Sequence, residues 1–177
     1  MRRTNTFKLI LCAFFAALSA VLSQVFIPIG LVPVNFIHVS IFVAAGLLGA
    51  KYGTLSQVVF VLLGAFGVPV FTGFTSGMGI IMGPTGGFIF GYIGCVFVSG
   101  LLISRFGTSM KALIPSMYVG MFVSYAFGIP WLMHVTGLNF TAAVISCLPF
   151  IPGDLVKIIV SAIIVNRLHP TVKKMML

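Results

Sequence analysis

The sequence predicts an all-α, polytopic integral membrane protein: a bundle of six transmembrane helices with both termini in the cytoplasm. Three observations predict it. Sixty per cent of the residues are hydrophobic and 6% are charged, and the mean hydropathy is +1.24, a balance no soluble domain of this size shows. The apolar runs are continuous over about 17–25 residues with short polar breaks between them, the length that crosses a bilayer; barrel strands would instead alternate apolar and polar residues over roughly ten positions. The basic residues stand singly or in pairs beside the apolar runs. Despite a formal net charge of +9, that pattern is topology information and not a nucleic-acid patch.

The elements follow in order. Segment one covers 7–27 and stops at Pro28 and Gly30. Its start, Met1-Arg2-Arg3, is like that of a signal peptide, but no convincing small-residue cleavage site precedes Pro28, so it reads as a membrane helix. A short loop over 29–33 leads to segment two, 34–49, and Lys51-Tyr52-Gly53 breaks the chain before segment three, 54–71. A Gly-rich stretch over 72–87 comes next. Segment four spans 84–104, with Pro84 suited to a first helical turn. A basic loop over 105–111, segment five over 112–129 and a second substantial loop over 130–141 precede segment six, 141–168, which is broken near Pro149 and Pro152 and ends in a basic tail with Lys173 and Lys174. The whole chain, 1–177, is expected to form one transmembrane domain.

Hydropathy alone set these segments, so charge tests them independently. Arg2, Arg3, Lys8, Lys51, Arg105, Lys111, Arg167, Lys173 and Lys174 all fall on one side, the cytoplasmic side by the positive-inside rule. The opposite side carries no Lys or Arg. The exception is Lys157, placed inside the membrane.

Lys157 has a partner. Asp154 is the single carboxylate side chain of the chain, and a spacing of three puts it on the same helical face as Lys157. A charge inside an apolar segment costs about 2.5–3.5 kcal/mol on insertion scales, so such residues face a partner or a wet cavity. This pair is the first candidate for recognition chemistry. Small residues recur at four-residue spacing in two places: Ala13 with Ala17 and Ala16 with Ala20, then Gly79, Gly83, Gly87, Gly91, Cys95 and Ser99. Such faces admit a second backbone in lipid, within the bundle or from a partner. Cys12, Cys95 and Cys147 lie in separate segments without metal-ligand spacing and are read as buried small residues.

Enzymatic function is disfavoured. There is no second acid, no His-rich metal set and no nucleophile with an evident base. No Gly-Lys-Ser/Thr phosphate loop appears, so any ATP energy must come from partners. A stand-alone secondary carrier is the alternative, but one paired Asp gives little with which to couple an ion. A purely structural role leaves the charged pair unexplained.

Gly83-Pro84-Thr85-Gly86-Gly87-Phe88 resembles the Gly-Pro-Thr-Gly-Gly-aromatic signature of the biotin-specific substrate-binding subunit of energy-coupling factor (ECF) transporters, the BioY family. Pro152-Gly153-Asp154-Leu155-Val156-Lys157 resembles that family's Pro-Gly-Asp-x-x-Lys run, and Leu63-Gly64-Ala65-Phe66-Gly67-Val68-Pro69-Val70-Phe71 is similar to its segment before the Gly-rich loop. The resemblance implies a six-helix vitamin-binding subunit of the cell membrane that captures biotin from outside under the loops after segments one and three. It implies a transmembrane coupling protein and two ATPase subunits as partners, with Ala13 and Ala17 at the family's Ala-x-x-x-Ala docking face, and no cofactor or metal. The chain departs from the pattern in segment two, where many members carry Gln and this one has His38, and where Pro-x-Pro-Phe becomes Val32-Pro33-Val34-Asn35-Phe36. His38 or Asn35 then replaces that Gln at the ligand, or His38 bonds another helix.

Biotin presents ureido N–H donors, a carbonyl acceptor, an apolar thioether ring and a carboxylate. An ionised Asp only accepts and an ammonium only donates, so Asp154 suits a ureido N–H and Lys157 either the ureido oxygen or the carboxylate. Thr85, Ser76, Asn35 and Tyr92 are polar groups available to complete the shell. Phe74, Phe88 and Trp131 are available to cover the ring.

Overall fold

Lipid offers backbone groups no water, so each span must close its own hydrogen bonds, and the chain answers with helix almost throughout. The computed structural model describes residues 2–28 and 32–175, with side chains from Asn5 onward. Ile29, Gly30 and Leu31 of the predicted first loop, and the side chains of Arg2 and Arg3, lie outside the described residues. In chain order the elements are α1 (Arg2–Ser23), β1 (Phe26–Ile27), β2 (Val34–Asn35), α2 (Ile37–Ala65), α3 (Met78–Ile81), α4 (Gly86–Phe106), α5 (Met110–Thr136), α6 (Phe140–Cys147) and α7 (Phe150–Met175).

The element α2 is two passes. At Gly49 φ is +71°, a conformation Gly adopts without a Cβ clash, and the chain doubles back there. Ser19 of α1 lies 2.9 Å from Ser40 Oγ on the first arm and 3.0 Å from Gln57 Nε2 on the second. A straight helix would hold residues 40 and 57 about 25 Å apart at 1.5 Å per residue. The break predicted at Lys51-Tyr52-Gly53 therefore falls slightly earlier. Among the described residues four helices are long and apolar enough to cross a membrane, and α6 with α7, bent by 49°, makes a fifth. With α2 folded double, the six predicted segments are α1, the two arms of α2, α4, α5 and α6–α7.

Several boundaries differ from prediction. Segment one leaves the helix at Ser23, because Phe26 and Ile27 pair antiparallel with Asn35 and Val34. Segment three stops at Ala65, where Gly67, at φ +97°, and Pro69 end the pattern. The loop predicted over 130–141 shrinks to 137–139, because α5 continues through Pro130 to Thr136. A helix-interior Pro costs about 3 kcal/mol, but here the turn beyond it is anchored. Leu132 is fully buried, and the Trp131 indole donates to Gly83 O at 3.0 Å. Gly137, at φ +70°, supplies the left-handed cap that ends α5. The predicted basic tail is likewise helical, since α7 runs through Pro170 to Met175. The break in segment six falls at Leu148 and Pro149, between the end of α6 and the start of α7, and Pro152 is accommodated in the first turn of α7.

The glycine series divides. A Cβ at Gly91 would lie 2.9 Å from Ser124 O on α5, and one at Gly87 would strike Trp131, whereas one at Gly79 meets nothing within 4 Å. From Gly87 onward the small face is the seam between α4 and α5. The α1 series divides too: Ala16 is buried, and Ala13 and Ala17 are exposed. All three cysteines are buried and free.

The two ends of the bundle are chemically distinct. At one end Lys8 and Lys51 lie 5.6 and 5.7 Å from the Tyr52 ring centre, Cys12 Sγ donates to Tyr52 O, and Asn166 of α7 donates to Thr108 O. The start of α1 and the last turns of α7 lie at this basic end, the cytoplasmic one by the positive-inside rule. The other end holds a cavity.

Candidate functional site

The cavity measures about 220 Å³ and takes its walls from α1, both arms of α2, α4, α5 and α7. Its roof comes from two loops. Asn35 on β2 donates to Thr72 Oγ1 at 3.0 Å, which ties the hairpin after α1 to the turn after α2. Both residues line the space beneath.

The walls are largely apolar. Phe60, Phe71, Ile80, Phe88 and Ile89 line them. His38 opens the first arm of α2 and stands edge-to-face with Tyr92 of α4 at 5.2 Å between centroids, and Phe88 stands edge-to-face with Tyr125 of α5 at 6.2 Å. Thr85, at the N-cap position of α4, also faces the cavity.

The break at Pro149 turns the first turns of α7 inward. Asp154 and Lys157, 6% and 4% exposed, share one face there. Lys157 Nζ donates to Asp154 Oδ1 at 2.9 Å, and the Tyr125 hydroxyl donates to Asp154 Oδ2. The ammonium also lies 5.8 Å from the Phe36 ring centre, near enough for a cation–π contact. Desolvating two charges is costly, and pairing plus further hydrogen bonds is what makes it tolerable. Capacity remains: the carboxylate has lone pairs to spare and the ammonium two further N–H groups. Two more cavity residues, His38 and Ser124, have buried polar atoms, Nε2 and Oγ, without a hydrogen-bond partner among the described residues. The whole is a small apolar chamber with a charged donor–acceptor pole and spare polar atoms, suited to holding a compact amphipathic molecule. Beyond Tyr125 and Asp154, which line both spaces, an apolar groove of about 230 Å³ runs between α5 and α6–α7.

Of the residues predicted from sequence, Asp154, Lys157, His38, Asn35, Thr85, Tyr92 and Phe88 line the cavity. Phe74 and Ser76 do not. Phe74 has a φ of +56° and points outward, 72% exposed, and Ser76 is half-buried outside the lining. Trp131 stays behind the wall, holding Gly83. Sequence reasoning missed Tyr125, Ser124, Ser23 and Thr72. Thr72 opens the predicted Gly-rich stretch and was accessible in principle, whereas Ser23 falls inside the predicted first segment and nothing in segment five marks Tyr125 out from Tyr118.

Comparison with known proteins fits this architecture. The family model described as the BioY family matches residues 1–174. The biotin transporter BioY of Thermotoga maritima is 38% identical over 161 residues, covering 91% of this chain and 95% of the relative. The biotin transporter BioY of Rhizobium etli is 37% identical over 174 residues, covering 90% and 91%. A crystal structure of the S-component for biotin from an ECF-type ABC transporter superposes with a TM-score of 0.89 at 31% identity, covering 96% of this chain and 94% of that one. These relatives are transporter components and not enzymes, and like them this chain is a multi-pass protein of the cell membrane. End-to-end similarity in sequence and in backbone places it in the BioY family.

Proposed function

We propose that this chain is the high-affinity biotin-binding subunit of an ECF vitamin importer and captures biotin on the extracellular side. One observation carries the assignment: the only acid of the chain is buried with Lys157 and Tyr125 at the wall of a roofed cavity, at the end of the bundle opposite the basic residues. A ureido group carries both donors and an acceptor, and this pole offers both complements. Asp154 accepts a ureido N–H, and Lys157 serves the ureido oxygen or the carboxylate. Phe88 and its apolar neighbours cover the thioether ring. Asn35, Thr85, Tyr92 and His38 complete the polar shell, His38 with the Nε2 that has no hydrogen-bond partner among the described residues.

Without an ATP-binding loop of its own, the subunit depends on a transmembrane coupling protein and two ATPase subunits. Ala13 and Ala17 supply the docking face: both are exposed on α1 while Ala16 packs inward, so two small side chains one turn apart stand where another helix can approach closely.

Calorimetry on the purified, ligand-free protein tests the assignment. Tight one-to-one binding of biotin, with a shift in Trp131 fluorescence as the roof residues settle, is the expected result. Absence of biotin binding by a folded preparation would remove it.

A further inference from the structure

Gln24 lies just beyond the last turn of α1 and does not line the cavity, yet its amide is the most heavily engaged side chain at this end of the bundle. Its Nε2 lies within hydrogen-bond distance of Val70 O at 3.2 Å and Phe71 O at 3.0 Å, and of Ala20 O and Ser23 Oγ within its own helix end at 3.1 and 2.9 Å. Its Oε1 accepts from the backbone N–H of Phe74 at 2.8 Å. Ser23 beside it donates to Val70 O at 2.5 Å. The segment so held is the roof turn 72–75, closed at its base by the Phe71 N–H donating to Thr75 O at 3.0 Å.

This turn does not hold itself. Gly73 and Phe74 both have positive φ, +74° and +56°, and Phe74 is the only non-Gly residue with positive φ among the described residues. A residue with a Cβ resists that conformation and persists in it only when its surroundings fix it. The Phe74 ring is at the outer tip, 72% exposed, so packing does not fix it. The bond from its own N–H to Gln24 does. The consequence lies on the other side of the turn, where Thr72 and Thr75 line the cavity and Thr72 receives Asn35.

We infer that Gln24 is a positioning residue: by gripping both limbs of the 70–75 loop it holds the roof shut over the cavity and sets how slowly a bound molecule leaves. The kinetic part rests on the cavity's being the biotin site; the mechanical part does not. Gln24→Met keeps the bulk of the side chain and removes every one of its polar contacts. In the purified full-length protein, radiolabelled biotin chased with unlabelled biotin should leave the variant roughly tenfold faster, with association changed by less than about threefold, as expected when a change acts on escape and not on encounter. Amide exchange should rise over 70–76 and stay at wild-type levels in α1, α2 and α4. Wild-type dissociation together with wild-type protection of 70–76 would overturn the inference. Loss of protection spread through α1 and α2 would also overturn it, by showing that Gln24 merely supports the fold. If the Met variant fails to fold, Gln24→Glu retains the acceptor for Phe74 N–H but not the donor to Val70 and Phe71, and raised exchange over 70–76 is again required of it. Failure of wild-type protein to bind biotin would sink the proposed function and leave the exchange result to decide the role of Gln24.

Discussion

Tyr125 holds the carboxylate oxygen of Asp154 that Lys157 leaves open. The phenol comes from α5 and the ammonium from α7, so the carboxylate is fixed from two helices and cannot swing. Tyr125 and Asp154, together with Met121, line both the roofed cavity and the apolar groove beside it. Orientation of the acid and closure of the wall are one interaction.

Removing it should therefore weaken binding without touching either charge. A hydrogen bond to a charged group contributes about 1.5–3 kcal/mol, so Tyr125→Phe is expected to lower biotin affinity at least about tenfold by calorimetry, at ~1.4 kcal/mol per decade. Asp154→Asn and Lys157→Ala should each lose at least as much, and Lys157→Ala additionally leaves Asp154 without its counter-charge. The double variant Asp154→Asn/Lys157→Met separates recognition from scaffold: near-normal affinity there would mean that the pair serves only to hold α7 in place.

How much of this was legible in the sequence depends on what set each feature. The spans were legible because lipid imposes length and hydropathy directly, and the doubling of α2 because a polar break marked it within a few residues of Gly49. Asp154 and Lys157 stood out as charges that a membrane segment rarely carries. The course of α5 was not legible: Pro130 is a local signal to stop, and the contacts that override it, Trp131 to Gly83 and the burial of Leu132, join distant parts of the chain. The orientation of Phe74 was not legible for a similar reason. Its place in a Gly-rich loop fitted a lid over the ligand, but a backbone φ of +56° turns the ring away. Tyr125 shows the limit most plainly, since only tertiary structure tells which phenol of α5 meets the acid.

Docking should be separable from binding. Ala13→Leu/Ala17→Leu places two bulky side chains on the exposed strip of α1, where close approach depends on small residues. Biotin uptake and co-purification with the coupling protein are expected to be lost, while affinity of the isolated subunit stays within about threefold, or ~0.7 kcal/mol. Normal uptake would remove both alanines from the interface, and loss of binding as well would assign them to internal packing.

Two glycines of one four-residue series should behave oppositely. Gly91→Ala forces a methyl to within 3.0 Å of the Ser124 backbone, and overpacking of this kind costs about 1–3 kcal/mol. Gly79→Ala meets open space and is expected to leave the melting temperature unchanged or raise it. Thermal unfolding of the two variants in detergent decides the matter; equal losses would contradict the α4–α5 seam described here.

Orientation is open to direct labelling. In a background lacking Cys12, Cys95 and Cys147, cysteines at Thr75 and Asn139 should react with an impermeant thiol reagent in intact cells, and cysteines at Lys51 and Thr108 should react only after lysis. Strong labelling at 51 or 108 from outside would invert the bundle and put the cavity on the wrong face.

The first arm of α2 is short, and the membrane must adjust to that. Residues 37–48 rise about 18 Å at 1.5 Å each, against a hydrocarbon core of about 30 Å. The helical arm alone is shorter than that core, and the small β1–β2 ladder precedes it in the chain. Irregular backbone is tolerated at membrane depth only when it is buried in protein or lines a wet space, and here the space is the cavity itself. The cavity is made by leaving helix out: Val34 and Asn35 of the ladder line it, and a chain that ran helix through those positions would lose that part of its wall.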